Sequence, residues 1–202
     1  MTAVVDPRRA AVLVVDLQHD FLHPDGAYAR AGVVAPALAE VPGRVVPLLD
    51  AARGAGVPVI FSQFTLVPGR DGEPLISDHL RALRPFLGRG DFAPGSPGQA
   101  TLAELGEADA VVEKVAYSAF AHTRLDWWLR KVGVEQLVVC GIVTNGGVAS
   151  TVRDAHVREF DVWVVGDGCA AFDADAHEAT LRSLSTIAPV VSVADAVAGF
   201  AR

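Results

Sequence analysis

Cysteine is nearly missing from this chain: Cys140 and Cys169 are the only two in 202 residues. Two thiols, each in a strand-like context, make no disulfide framework and fit a reducing cytoplasm. No apolar run approaches the ~20 residues of a membrane-spanning helix. The opening Met1 to Arg9 stretch also lacks the apolar segment of a signal peptide. Positive charge is scarce: 17 Lys and Arg stand against 24 Asp and Glu, for a net charge of −7, and no basic cluster occurs. That balance argues against nucleic acid and anionic membrane as partners. Charged residues make up 20% of the chain and hydrophobic ones 51%, which describes a globular chain with a large core. The length suits one domain spanning 1–202.

What is present centres on Leu137 to Ala155. Leu137 to Cys140 is a β-branched apolar run, as expected of a strand buried on both faces. From Val148 the apolar spacing becomes Val148, Val152 and Ala155, one face of a helix. Thr144 to Gly147 must therefore turn sharply, leaving backbone N–H groups pointing outward where α/β proteins bind anions and developing oxyanions. The same turn is also explained by an ordinary loop that needs glycine's backbone freedom.

Other elements follow in order. Ala11 to Asp16, Val57 to Phe61, Asp109 to Lys114, Asp161 to Val165 and Val190 to Val193 read as further strands. Arg44 to Ala55, His122 to Val132, Ala176 to Ile187 and a final stretch to Phe200 read as helices. Residues 65–106 differ: five prolines, many glycines and little periodicity suggest an extended surface excursion forming a lid or a dimer contact. Its charges Arg81, Arg84, Arg89 and Asp91 either face a substrate or form a solvated face. No repeat, low-complexity tract or linker interrupts the chain.

Alternating strands and helices imply right-handed crossovers and a six-stranded parallel sheet in a doubly wound, three-layer α/β/α fold. Ligands in such sheets bind at the carboxyl ends of the strands. Asp16, Lys114 and the Thr144–Gly147 turn all fall there, so the topology gathers them at one sheet edge. Asp16 and Lys114 are then either a general acid–base pair or a structural salt bridge. No GxGxxG pattern calls for a dinucleotide. His19 and His23, four apart in a loop, are a weak metal signal, and no cofactor or catalytic metal is expected.

Three segments together resemble the isochorismatase-like hydrolase superfamily. Asp16-Leu-Gln-His-Asp-Phe21 is similar to its aspartate motif, Lys114-Val-Ala-Tyr-Ser-Ala-Phe120 to its lysine segment, and Gly141-Ile-Val-Thr-Asn-Gly-Gly147 to its nucleophile loop. The resemblance implies a cytoplasmic homodimer or higher homo-oligomer acting on a small molecule. It implies Asp16 and Lys114 as catalytic residues, with Gly147 at the position of the family nucleophile. It also implies substrate contacts from Gln18, Phe21, Tyr117, Phe120, Ile142, Val143, Thr144 and Gly146, and a cis peptide at Ile142–Val143.

The departure from the family is at Gly147, where most relatives carry the nucleophilic cysteine. Glycine cannot form a thioester, and Cys140 and Cys169 read as core. Isochorismatases also have glycine at this place, with a lysine segment ending as Tyr117 to Phe120 does. They cleave a vinyl ether without a covalent intermediate, which would make Asp16 the proton donor to the enol carbon. Lys114 nearby lowers the pKa of Asp16, so burial or a substrate carboxylate must offset it. Thr144-Asn145, by contrast, is closer to the cysteine hydrolases. Three functions therefore stay open: vinyl-ether hydrolysis of isochorismate or a similar carboxylated substrate, amide or carbamoyl hydrolysis, and non-catalytic binding on the same fold.

Overall fold

A computed structural model describes residues 5–201. Met1 to Val4, part of the stretch read for a leader, and Arg202 lie outside the described residues. In chain order the elements are β1 (Ala10–Val15), α1 (His19–Leu22), α2 (Ala27–Arg30), α3 (Pro36–Ala39), α4 (Val41–Gly54) and β2 (Val59–Phe64). Then come α5 (Asp78–Leu83), a 3₁₀ turn at Ala103–Leu105, β3 (Ala110–Lys114), α6 (Leu125–Lys131) and β4 (Gln136–Ile142). A π-helical turn over Thr144–Val148 leads into α7 (Ala149–Val157), followed by β5 (Asp161–Ala170), α8 (Ala174–Leu184), β6 (Val190–Val191) and α9 (Val193–Phe200).

Six strands among the described residues form one all-parallel sheet in the order β3-β2-β1-β4-β5-β6. The central β1 buries all six residues, and β4 all but its first, as their unbroken apolar runs require. The chain moves one way from β1 to β2 and the other way from β4 to β5. Right-handed crossovers therefore place α4 on one face and α7 and α8 on the other, and α9, after the last strand, packs on α4. The order reverses between β1 and β4, and the crevice beyond their carboxyl ends is where such folds take ligands. The two strands meet closely there. Gly141 has φ +114°, and a Cβ on it would fall 2.2 Å from the Val15 carbonyl oxygen, so only glycine fits.

The structure moves several element boundaries. α4 begins at Val41, before the expected Arg44, because Pro42 sits in the first turn where no N–H is needed. β2 starts and ends later than Val57–Phe61 because its partners on β1 and β3 extend it to Phe64. β5 runs on past Val165 to Ala170 through two glycines and Asp167, held by pairing of Cys169 with Gly141 and Ala170 with Ile142. Tertiary pairing overrides weak local propensity there. β6 shrinks to two residues because Ser192 opens α9 with a capping box.

Candidate active site

Strand ends supply the floor of the site. Asp16 is the first residue after β1 and adopts φ +57°, a left-handed conformation that an aspartate tolerates and that is found at functional positions. Lys114 ends β3, two strands away. Both side chains are buried, and Lys114 Nζ lies 2.6 Å from Asp16 Oδ2. The ammonium also donates to the Ala116 carbonyl at 3.0 Å and stands 5.6 Å over the Phe64 ring. Ser62, on the intervening β2, donates its hydroxyl to Asp16 Oδ1 at 2.8 Å. Burial pushes the Asp16 carboxyl above the usual carboxylate range, while the Lys114 ammonium and the Ser62 hydroxyl pull it part of the way back. Desolvation is the largest of these effects.

Opposite the carboxylate lies the turn after β4. The Ile142–Val143 peptide bond is cis. The Gly146 N–H donates back to the Val143 carbonyl, so it does not point outward as the sequence suggested, and the Val148 N–H donates to the same oxygen. A Cβ placed on Gly147 would stand 3.2 Å from Asp16 Oδ2 and 3.0 Å from Val15 Cγ1. A side chain at this position would therefore sit against the Asp16 carboxylate.

These groups open into a cavity of about 440 Å³. Of the residues singled out in the sequence, Asp16, Lys114, Gly147, Phe21, Tyr117, Val143 and Gly146 line it. Four do not. Gln18 is fully buried and spends its amide on the Phe64 backbone and the Gln99 carbonyl. Phe120 packs in the core against Phe160. Ile142 is core as well. Thr144 turns its hydroxyl toward His177. Each lies within a resembling motif, but strand and turn geometry point it away from the cavity.

The structure adds wall residues, all but Arg84 not singled out in the sequence. Tyr28, Phe64 and Phe172 form an aromatic side, with Tyr28 and Phe172 stacked at 5.5 Å. Ser77, His79, Leu80 and Arg84, from the 65–106 excursion, close the outer side. Among the excursion charges, Arg84 faces the cavity and its Nε donates to the Tyr28 hydroxyl at 3.3 Å. Arg89 pairs instead with Glu73, and Asp91 with Arg30. Ser62 had one legible signal, a lone hydroxyl inside an apolar strand. Asp173, another lining residue, is legible as the N-cap of α8, where it accepts from the Ala176 N–H. Nothing in the local sequence marks Tyr28 or Phe172.

Neither cysteine takes part. Both are buried outside the cavity lining, and burial pushes the Cys140 thiol well above its usual range and that of Cys169 up to about 12. Neither is a thiolate at neutral pH. Among the described residues no three His, Cys, Asp or Glu side chains gather as metal ligands. His19 and His23 stack ring on ring at 4.0 Å. No helix among the described residues is long and apolar enough to cross a membrane.

Known proteins resemble this chain in sequence and in fold. Residues 10–195 match the Isochorismatase domain. The chain is 34% identical over 194 residues to ureidoacrylate amidohydrolase RutB of Methylobacterium radiotolerans, covering 90% of this chain and 75% of that one. It is 32% identical over 180 residues to nicotinamidase 3 of Arabidopsis thaliana, covering 87% and 80%. A cysteine hydrolase structure from Pseudomonas syringae pv. phaseolicola superposes with a TM-score of 0.85 at 29% identity, covering 100% of this chain and 99% of that one.

Proposed function

Because the chain belongs to the isochorismatase family of hydrolases, we propose that it hydrolyses a small carboxylated vinyl ether, isochorismate or a close analogue, without a covalent intermediate. The observation that carries this reading is the buried Asp16 carboxyl, with its raised pKa, facing a glycine where a side chain would otherwise stand. Burial that raises a carboxyl's pKa favours its protonated form, the form that donates a proton. Asp16 gives its proton to the terminal enol carbon, and the C=C electron pair forms the new C–H bond. Water adds to the resulting oxocarbenium carbon and loses a proton to the Asp16 carboxylate. The hemiketal then collapses to a keto acid and an alcohol. Lys114 holds the carboxylate in place when Asp16 ionises, and the aromatic side of the cavity takes the ring of the substrate.

A second reading is favoured by the relatives. Those reported above are named as an amidohydrolase and a nicotinamidase, and Asn145, on the cavity wall, belongs to the part of the turn closer to the cysteine hydrolases. Here Asp16 would act as a base and activate water against an amide or carbamoyl carbon. A homo-oligomer is part of either reading, and sedimentation analysis measures it.

Turnover assays with isochorismate, nicotinamide, ureidoacrylate and simple carbamates, each followed across pH, test the proposal. As the acid, Asp16 works while protonated, so kcat/KM is high at low pH and falls as pH rises through its elevated pKa. As the base it works ionised, and kcat/KM rises through the same pKa. Turnover of amides alone, with the rising profile, replaces the first reading with the second. No turnover of any of these substrates removes both.

A further inference from the structure

Thr144 opens the turn that carries Gly146 and Gly147, yet its side chain is fully buried on the far side from the cavity. Its hydroxyl lies 2.8 Å from Nδ1 of His177, in the first turns of α8. Other bonds at this turn are local: the Gly146 and Val148 N–H groups return to Val143, three and five residues away. The Thr144–His177 bond instead ties the turn to an element that follows the next strand. That element is itself fixed at the cavity. Asp173 caps α8 by accepting from the Ala176 N–H at 2.7 Å, and Phe172 and Asp173 both line the cavity. α8 and the turn pack directly on each other.

We infer that His177 is a positioning residue: through Nδ1 it holds Thr144, and with it the Gly146–Gly147 backbone, in register with Asp16. This rests on the reading of that turn as part of the reacting site. The spacing it guards is tight, since a Cβ at Gly147 has only 3.2 Å to Asp16 Oδ2 and to the Ile142 carbonyl oxygen. A tilt of the turn changes that spacing, and a misplacement of about 1 Å can cost a positioned reaction about 10²-fold.

The atom that bonds makes the test specific. An asparagine side chain puts its amide group where Nδ1 of histidine stands, whereas a glutamine reaches the place of Nε2. The probe is the thiol introduced by Gly147→Cys, which the Asp16–Lys114 pair and the helix N-terminus should make reactive toward iodoacetamide near neutral pH. Alkylation is followed by mass spectrometry, with Cys140 and Cys169 as slow internal references and thermal melting as the control for folding. In this background His177→Asn and Thr144→Ser should keep the alkylation rate within about threefold. His177→Gln, His177→Leu and Thr144→Val should lower it at least about tenfold, on the positioning argument above. Retained reactivity with Gln and Leu overturns the inference, and so does an equal loss in Asn, Gln and Leu, which would assign the effect to ring packing. A parent Gly147→Cys thiol no faster than Cys140 also overturns it, because the turn then has no organised geometry to hold. The readout needs no substrate, so failure of the hydrolase reading in turnover assays is a separate result.

Discussion

At the cavity floor, Asp16 and Lys114 are 4% and 1% exposed, and both oxygens of the carboxylate have side-chain partners. At the outer wall, α5 buries no residue at all, and Leu83 is 47% exposed. The floor sits on three adjacent strand ends and a turn, which share one sheet. The wall is rooted firmly but tipped loosely. Asp20, buried, accepts from the Phe92 N–H at 2.6 Å and the Ala27 N–H at 3.0 Å, and Phe92 anchors a small aromatic cluster with Tyr28. Beyond that root, α5 is held by its Ser77 cap and by the hydrogen bond from Arg84 to Tyr28. The proton transfer proposed for Asp16 needs fixed groups in a low-dielectric place, and the sheet holds them there. An excursion of this kind is a surface that can change without loss of the fold.

The comparison is broken most directly at Asp16. Asp16→Asn removes the ionisable group at nearly constant shape, and kcat/KM should fall by ~10²–10⁴ while circular dichroism stays unchanged. Retained turnover in the folded variant would strip the floor of its chemical role.

Lys114→Met follows. It keeps most of the apolar stem and removes the cation 2.6 Å from Asp16. Turnover should drop, and stability should fall by up to about 3–5 kcal/mol, the usual consequence of breaking a buried pair. The sign with pH is fixed. Without the ammonium, the Asp16 pKa rises further above its unfolded value. The variant is therefore closest to wild type at low pH, where Asp16 is protonated in both states, and loses stability as pH rises through that pKa. Denaturant titrations at acid and neutral pH measure this, and an equal deficit at both would mean that the pair carries no such linkage.

On the wall, Arg84→Leu should leave kcat largely intact and raise KM for carboxylated substrates about tenfold, roughly 1.4 kcal/mol, with little effect on neutral ones. A loss of kcat comparable to that of Asp16→Asn would erase the distinction between floor and wall. The smallest effect belongs to Ser77→Ala, which removes the α5 N-cap. About 1 kcal/mol of local stability should go, seen as faster amide hydrogen exchange over Asp78–Leu83 and unchanged exchange in β1 and β4. Faster exchange in the strands as well would show that wall and floor unfold as one unit.

The sheet was legible because central parallel strands bury both faces and so write themselves as apolar runs, as in Ala11 to Val15 and Leu137 to Cys140. The site's place was legible for the same reason: Asp16, Lys114 and the turn before Val148 each interrupt such a run at its carboxyl end. Boundaries such as the extension of β5 to Ala170 were not, because neighbouring strands decide them.

By itself the sequence determined the family, the parallel α/β sheet and the two charged residues of the floor, all of which depend on local pattern and order. Only the tertiary structure decided which motif residues face the cavity. Gln18, Phe120, Ile142 and Thr144 sit beside lining residues in sequence, but pleat and turn geometry send them into the core. Only the tertiary structure, too, decided the sign of the Asp16 shift. That sign is a balance between desolvation by surrounding residues and the Lys114 ammonium from two strands away. Both terms are sums over neighbours in space, and no spacing along the chain contains them.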